Sequence, residues 1–465
     1  MHSIGTTATP LRVAIIGAGP AGFYAATALL KQDDVVVEVD LLDELPTPYG
    51  LVRSGVAPDH EKIKNVTRIF DRTAQNSRFR FFGNVRFGEH VNLDDLKQHY
   101  HQVLFTTGAQ TDRSLGIPGE DLVGSHSATE FVWWYNGHPD YRDCTFNLSC
   151  ERVVVVGVGN VAVDVARILC RTPEELATTD IADYALEALR GSKIREVVML
   201  GRRGPAQAAF SNPEVKELGE MEDADFIIRP DEAELDALSR EDVEAANDRL
   251  LTKKVDLLQD IAQRSPEGKS KRIALRFLVS PTEILDDGTG GVGGVRLVRN
   301  ELYRTEDGRL RPRATEETED LSCGLVFRSV GYRGVPLPGV PFREDWGIVP
   351  HEEGRVLQEP DGNPVPGLYV SGWIKRGPSG VIGTNKPDAQ ETVGHMLEDA
   401  GNDRHLQPEH PSGETVESLI RERQPQCFSY ADWLRINDLE TAAGEKQGRP
   451  RVKLTRIEEM LGVLG

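Results

Sequence analysis

Val13-Ala14-Ile15-Ile16-Gly17-Ala18-Gly19-Pro20-Ala21-Gly22 is the stretch that decides the fold. The apolar tetrapeptide is too short for a surface helix and rich in the branched residues that suit a buried strand. A glycine turn follows at once, then Phe23 to Lys31 reads as a helix and Val35 to Leu42 as a second strand ending in Asp43. In such a unit Gly17 permits the tight turn, Gly19 lets backbone approach a pyrophosphate, and Gly22 lets helix and strand pack closely. The helix N-terminus offers free N–H groups and a positive dipole end to an anion. Asp43 lies about 20 residues beyond Gly22, the spacing of an acid that accepts from a ribose hydroxyl. The spacing predicts a dinucleotide site.

The same arrangement returns later in the chain. Val153-Val154-Val155-Val156 runs into Gly157-Val158-Gly159-Asn160-Val161-Ala162, and a helix follows to Cys170. Here the next strand, Val197 to Leu200, ends in Gly201-Arg202-Arg203 and not in an acid. An acid at that point repels a ribose 2′-phosphate, whereas guanidinium forks grip it through charged hydrogen bonds, so the second turn predicts NADP over NAD. Two such units in one chain imply two dinucleotides, and an α/β class with two Rossmann-like domains.

Composition narrows the setting. The 465 residues suffice for two large α/β domains, and 39% hydrophobic with 28% charged residues is ordinary globular usage. No apolar run reaches the ~18 residues of a spanning helix. The first twelve residues hold one late Arg and no apolar h-region, which argues against a secretory signal, so a cytoplasmic protein is expected. A formal charge of −20 disfavours nucleic acid or an anionic membrane as partner, because both need a cationic face. Cys144, Cys150, Cys170, Cys323 and Cys427 form neither a C-x-x-C pair nor a zinc-like cluster, so an enzyme that uses its own redox-active thiols is not expected, and no metal site is predicted.

Between the two turns, Leu45 to His60 carries three prolines and two glycines and reads as a rigid, irregular loop beside the first unit. Glu61 to Thr73 is expected as one helix, and Phe79–Phe82 with Val85–Phe87 as a hairpin about Gly83-Asn84. Gln102 to Phe105 is a strand closing on Thr106-Thr107-Gly108. Arg171 to Lys193 reads as a helical insertion, and Phe131 to Tyr135 as an aromatic helix belonging to the core. Strands are expected at Ile273–Val279, Val292–Arg304, Gly324–Val330 and within Pro364–Trp373. Asp223 to Arg264 reads as acidic and then helical. Helices are expected at Asp388–Asp399, Tyr430–Ala443 and Leu454–Leu464, with Gly401–Glu414 as an exposed connection.

Taken together, Gly17 to Gly22, Pro46 to His60, Gly157 to Arg167, Gly201 to Phe210 and Ser371 to Asn385 resemble the adrenodoxin-reductase-type ferredoxin–NADP⁺ reductases in their bacterial form. The Pro46–His60 and Ser371–Asn385 segments are more specific than either glycine turn. The resemblance implies non-covalent FAD on a discontinuous domain, residues 1–108 and 330–465, and an inserted NADP domain, residues 109–329. By the same resemblance FAD meets Gly17, Gly19, Pro20, Ala21, Gly22, Asp43, Leu51, Gly55, Thr107, Gly108, Trp373, Gly380, Val381 and Ile382. NADP(H) meets Gly157, Gly159, Asn160, Val161, Arg202, Arg203, Glu214, Trp373 and Gly380, although Asn212-Pro213 beside Glu214 departs from the family pattern. His60 and Asp164 match a pair placed near flavin and nicotinamide, where a histidine relays a proton and a carboxylate orients it.

The implied chemistry is coherent: NADPH gives up a hydride, an iron–sulfur protein accepts single electrons, and a flavin exchanges one for the other. A ferredoxin-type partner is expected, and because ferredoxins are usually acidic it needs a local basic face; Arg249, Lys253 and Lys254 are the candidates read from sequence. Two alternatives stay open here. One is a reductase subunit of the glutamate-synthase type, and the other a non-catalytic FAD- and NADPH-binding redox sensor.

Overall fold

The structure is a computed structural model and describes residues 4–464. The chain forms two compact units: one comprises residues up to Val56, His60–Thr111 and residues from Gly331 on; the other comprises Ala57–Asp59 and Asp112–Val330.

The first unit is built on a seven-stranded sheet in the order His351–Glu352, Arg355–Leu357, Pro364–Val370, Gln102–Phe105, Leu11–Ile16, Val37–Leu42, Phe79–Phe82. Its last five strands run parallel, with Leu11–Ile16 central and buried at every position, as a strand covered on both faces must be. The Pro20–Leu30 helix returns the chain from Ile16 to Val37, and the Asn385–Gly401 helix packs beside it. The sheet's two faces bury separate apolar clusters, one around Phe23, Phe70 and Trp433, the other around Tyr100, Phe105 and Val370.

The second unit holds a six-stranded, wholly parallel sheet in the order Ser125–Ser127, Leu325–Arg328, Arg152–Val156, Glu196–Gly201, Lys271–Phe277, Ala224–Ile228. A separate antiparallel sheet of Val279–Asp286, Val292–Arg304 and Leu310–Ser322 accompanies it. The aromatic helix Ala128–Asn136 lies in the core, as its composition predicts, with the Phe131 and Trp134 rings stacked at 5.5 Å.

Several elements differ from the sequence reading. The hairpin expected at Gly83-Asn84 does not form: Phe79–Phe82 is taken by the parallel partner Val37–Leu42, and Gly83 instead bridges Phe428. The helix expected over residues 61–73 is broken into Glu61–Lys64 and Thr67–Ala74. Ala224–Ile228, within a stretch read as acidic and helical, is the edge strand of the second sheet. Gly413–Arg423 is a helix that begins inside the connection expected over residues 401–414.

Residues of the Pro/Gly-rich loop are clamped by the C-terminal part of the chain. Arg53 forks onto Glu440 at 2.5 and 2.8 Å, and Glu440, fully buried in the Tyr430–Glu445 helix, also accepts from Arg451 at 3.0 Å and from the Leu454 N–H at 2.8 Å. Burial alone raises a carboxyl's pKa, but here the Arg53 and Arg451 charges outweigh it and hold Glu440 below the ordinary value. Tyr49 and Tyr430 both donate to Asp71, and the Arg53 guanidinium lies 5.2 Å from the Trp433 ring centre. Removing one partner of so enclosed a pair leaves the other charge uncompensated. Glu440→Ala is therefore expected to destabilise the protein by about 3–5 kcal/mol, read as a lowered midpoint in denaturant; a loss below about 1 kcal/mol would show that the pair behaves as a surface contact.

Candidate functional site

Each unit places a glycine turn between a buried strand and an eleven-residue helix. The two turns share one division of labour. An ideal Cβ on Gly22 would stand 2.2 Å from the Gly17 carbonyl oxygen, and one on Gly157 2.2 Å from the Ser329 carbonyl oxygen, so these positions exclude side chains through protein packing. A Cβ on Gly19 or on Gly159 would meet nothing within 4 Å. These middle glycines open onto space beside helix N-termini that carry no side-chain cap. Backbone free on one side, at a positive dipole end, is a cradle suited to a pyrophosphate. Both units fit a dinucleotide on this ground.

Around the first turn the other predicted residues converge. Asp43 accepts from the Ala18 N–H at 2.6 Å and from the Leu45 N–H at 3.0 Å. Burial pushes its carboxyl up to about 7 against those two hydrogen bonds, and the neighbouring Glu44 charge adds to the rise. The Tyr49 N–H donates to the Ala18 carbonyl at 2.8 Å, and a Cβ on Gly50 would lie 2.9 Å from the Gly19 Cα, so the Pro/Gly-rich loop rests on the turn. Leu51 opens the short Leu51–Ser54 helix and Gly55 caps it. Thr107 and Gly108 follow the Gln102–Phe105 strand, but Thr106, which the sequence reading passed over, grips the turn through its hydroxyl on the Gly17 carbonyl at 2.8 Å.

The Ser371–Asn385 segment reaches the same place. A Cβ on Gly372 would stand 2.7 Å from the Ala21 Cβ, directly over the first helix turn. Trp373 begins a short helix, sets its ring 5.4 Å from that of Tyr332 at a tilt and donates from its indole to the Ser379 carbonyl at 3.2 Å. Gly380 and Val381 are exposed, and Ile382 starts a single 3₁₀ turn before the Asn385–Gly401 helix. Asp388 of that helix accepts from the Ser371 hydroxyl at 2.9 Å and from the Gly372 N–H at 2.6 Å, and Lys375 pairs with it at 3.0 Å. Asp388 sets the Gly372-Trp373 corner and was not legible as a site residue. His60 also belongs to this unit and precedes the Glu61–Lys64 helix.

In the second unit Asn160 and Val161 begin the helix, and the Asn160 side chain accepts from the Ser211 N–H at 2.9 Å. The Glu196–Gly201 strand delivers Arg202, exposed, and Arg203, half-buried. Burial, with the charges of Arg202 and Arg311, holds the Arg203 guanidinium below the ordinary arginine value. Asp164 and Glu214 are brought to one guanidinium: Arg167, fully buried, donates to Asp164 at 2.6 Å, to Glu214 at 3.1 Å and to Asp59 at 2.6 Å. Arg167 therefore fixes both acids, a role that no spacing in the sequence announces.

The basic residues read as a docking face divide. Arg249 and Lys253 are exposed on the Arg249–Ala262 helix, but Lys254 turns inward and donates to the Ala208 carbonyl at 2.5 Å, so it is withdrawn from that set. All five cysteines are free thiols, and burial pushes Cys170 and Cys323 up to about 12. No helix among the described residues is long and apolar enough to cross a membrane.

Residues 11–202 match the family described as pyridine nucleotide-disulphide oxidoreductase. The NADPH-ferredoxin reductase FprA of Mycobacterium tuberculosis H37Rv is 48% identical over 463 residues, covering 98% of this chain and 99% of that protein. The mitochondrial NADPH:adrenodoxin oxidoreductase of Arabidopsis thaliana is 40% identical over 462 residues, 97% of this chain and 95% of its own length. The solved structure of M. tuberculosis FprA in complex with NADPH superposes with a TM-score of 0.92 at 47% identity, covering 98% of this chain and all of that one. The α/β fold of two Rossmann-like domains and the full-length identity place this chain in the adrenodoxin-reductase-type ferredoxin–NADP⁺ reductase family.

Proposed function

We propose that this chain is an NADPH:ferredoxin oxidoreductase, with FAD held non-covalently by the first unit and NADPH by the second. One observation carries the assignment: two equally open glycine turns are followed by opposite charges, Asp43 after one and Arg202-Arg203 after the other. The acid suits a ribose bearing free hydroxyls, as in FAD, and the arginine pair suits a 2′-phosphate. On this reading residues 1–108 and 330–465 serve FAD and residues 109–329 serve NADP. The five free thiols, three of them buried, support a reducing cytoplasmic setting.

Held by the first unit, FAD would supply the exchange between the two-electron chemistry of NADPH and the one-electron chemistry of an iron–sulfur partner. The chain's own groups bind and orient. Gly17, Gly19, Pro20, Ala21 and Gly22 would carry the FAD pyrophosphate, Asp43 its ribose, and Leu51, Gly55, Thr107, Gly108, Trp373, Gly380, Val381 and Ile382 its remaining length. Gly157, Gly159, Asn160 and Val161 would carry the NADPH pyrophosphate, with Arg202 and Arg203 on the 2′-phosphate, and Glu214, Trp373 and Gly380 beside the nucleotide. His60 would relay a proton and Asp164 orient it, with Arg167 fixing Asp164 at 2.6 Å. A His60→Ala variant with unchanged flavin reduction and unchanged onward transfer would remove that role.

Anaerobic mixing of the yellow protein with NADPH tests the function. Rapid bleaching, followed by ferredoxin-dependent reduction of cytochrome c, is expected; a stable yellow complex would mark a sensor instead. Beyond a low optimum, added salt should slow the ferredoxin-dependent rate much more than NADPH-to-dye activity, because charge steers protein docking. Asp43 adds a pH signature. A ribose hydroxyl donates better to a carboxylate than to a carboxyl group, and the free-state value is about 7. FAD affinity should therefore rise from pH 6 to 8 and level off above; Asp43→Asn should flatten that slope, and a flat wild-type profile by fluorescence titration would refute it.

A further inference from the structure

The three-stranded antiparallel sheet of the second unit belongs to neither dinucleotide turn. Much of its packing is apolar: Val279, Ile284, Val292, Val295 and Leu297 share a core with Val154, Val156, Val198 and Leu200 of the parallel sheet. Its buried polar groups have a different destination. Asn300, only 5% exposed, donates from Nδ2 to the Arg202 carbonyl at 2.9 Å and to the Ser280 hydroxyl at 2.8 Å. Its own N–H donates to the Leu278 carbonyl at 2.7 Å, and Leu278 in turn donates its N–H to the Arg203 carbonyl at 3.2 Å. Two successive carbonyls at the end of the Glu196–Gly201 strand are thus each held from the base of the antiparallel sheet.

The local backbone is shaped for this grip. Leu278 sits at φ 57°, a conformation that a leucine adopts only when its surroundings impose it. Asn300 stands where the register between Val292–Arg304 and Leu310–Ser322 shifts, after Val298, and such irregularities re-aim side chains. What the grip controls is a group of like charges. Among the described residues no carboxylate lies within 4.0 Å of Arg202, Arg203 or Arg311, and Arg311, from the third strand of the same sheet, adds its charge to that of Arg202 upon Arg203. Guanidiniums left without counter-charges swing apart unless their backbone is pinned.

We propose that Asn300 is a positioning residue for coenzyme selection: with Leu278 it fixes the backbone of Arg202 and Arg203, so that their guanidiniums and that of Arg311 converge on the 2′-phosphate that distinguishes NADPH from NADH. The inference rests on the reading of the second turn as the NADPH site. Asn300 itself touches no coenzyme. Its loss relaxes the aim of the two arginines, and bidentate bonds to a phosphomonoester are the contacts most sensitive to aim. Contacts common to NADPH and NADH, at the pyrophosphate and nicotinamide, are left as they were.

The test uses the FAD-loaded full-length protein, with ferricyanide as acceptor and NADPH or NADH as donor. Asn300→Ala is expected to raise KM for NADPH about tenfold, the worth of one well-made buried hydrogen bond, and to leave kcat and the NADH parameters within about twofold. Affinity for 2′,5′-ADP, measured by calorimetry, should fall by the same factor, and Arg311→Ala should weaken it by about threefold through charge alone. Asn300→Ser, a smaller disturbance of the fold, covers the case in which the alanine variant does not accumulate. Equal losses for both coenzymes, or an unchanged ratio in the Asn300 variants while Arg203→Ala collapses it, would overturn the positioning role. An unchanged ratio in Arg203→Ala would overturn the phosphate site itself, and the two failures are thereby distinct.

Discussion

The first unit depends on an approach that no side chain could survive: the backbone of Gly22 lies so near the Gly17 carbonyl that a Cβ would stand 2.2 Å from it. That closeness lets the Pro20–Leu30 helix start immediately over the strand end, and it brings three other segments within reach of the turn. Thr106 seats its hydroxyl on the Gly17 carbonyl, Tyr49 its N–H on the Ala18 carbonyl, and Gly372 its bare Cα over Ala21. Each is a backbone-scale contact. A bulkier residue at any of these positions would push a whole segment outward and widen the space that Gly19 leaves beside it. The shape offered to a cofactor is therefore set by how closely these segments pack at the turn.

Both units set a bare glycine against a carbonyl and leave the middle glycine open, although Ala162 with its Cβ stands where the first unit has Gly22, and they then diverge electrostatically. In the first, a single half-buried carboxylate closes the turn by accepting from Ala18, and desolvation raises its pKa to about 7. In the second, the turn is closed by neutral groups, Asn160 on the Ser211 N–H and the Val158 carbonyl accepting from Ala209 and Phe210. Its charge stands further out, at Arg202 and Arg203. On the proposed assignment, an anion that carries one more phosphate than FAD's ribose presents would be favoured by the second unit and disfavoured by the first. Geometry alone makes both turns generic; charge at the end of the next strand makes each specific.

The parallel cores were legible because they are local. A strand, a glycine turn, a helix and a second strand fall within some tens of residues, and their apolar periods need no distant partner to be read. The parts that escaped are those in which a distant segment decides. Phe79–Phe82 and Val85–Phe87 have the alternation and the Gly-Asn signal of a hairpin, yet Val37–Leu42 claims the first strand and Phe428 claims Gly83. Ala224–Ile228 alternates in burial as an edge strand should, but its acidic surroundings masked a five-residue element that is stable only against Lys271–Phe277. The glycines and arginines of the site could be read from their pattern. Thr106, Asp388, Asn300 and Glu440 could not, because each acts through a partner outside its own element; Arg167 lies three residues from Asp164 on one helix, but its bonds to Asp59 and Glu214 come from segments remote in sequence.

Charge makes the last of these visible only in three dimensions. With 74 acidic and 54 basic side chains, an arginine in this protein ordinarily finds a carboxylate: Arg12 meets Asp40, Arg53 meets Glu440, Arg167 meets Asp59, Asp164 and Glu214, and Arg276 meets Glu232. Arg202, Arg203 and Arg311 make no such pair among the described residues, as is also true of Arg68, Arg72 and Arg195, but here the charges of Arg202 and Arg311 both bear on Arg203. Their mutual repulsion is a standing cost in the free protein, partly screened by solvent around Arg202 and Arg311. On the proposed assignment these guanidiniums receive the coenzyme's 2′-phosphate, and holding Arg202 and Arg203 by their carbonyls, and not by their side chains, would leave their guanidinium N–H groups available to it; a carboxylate partner would order the same side chains but consume the donors that a phosphate requires.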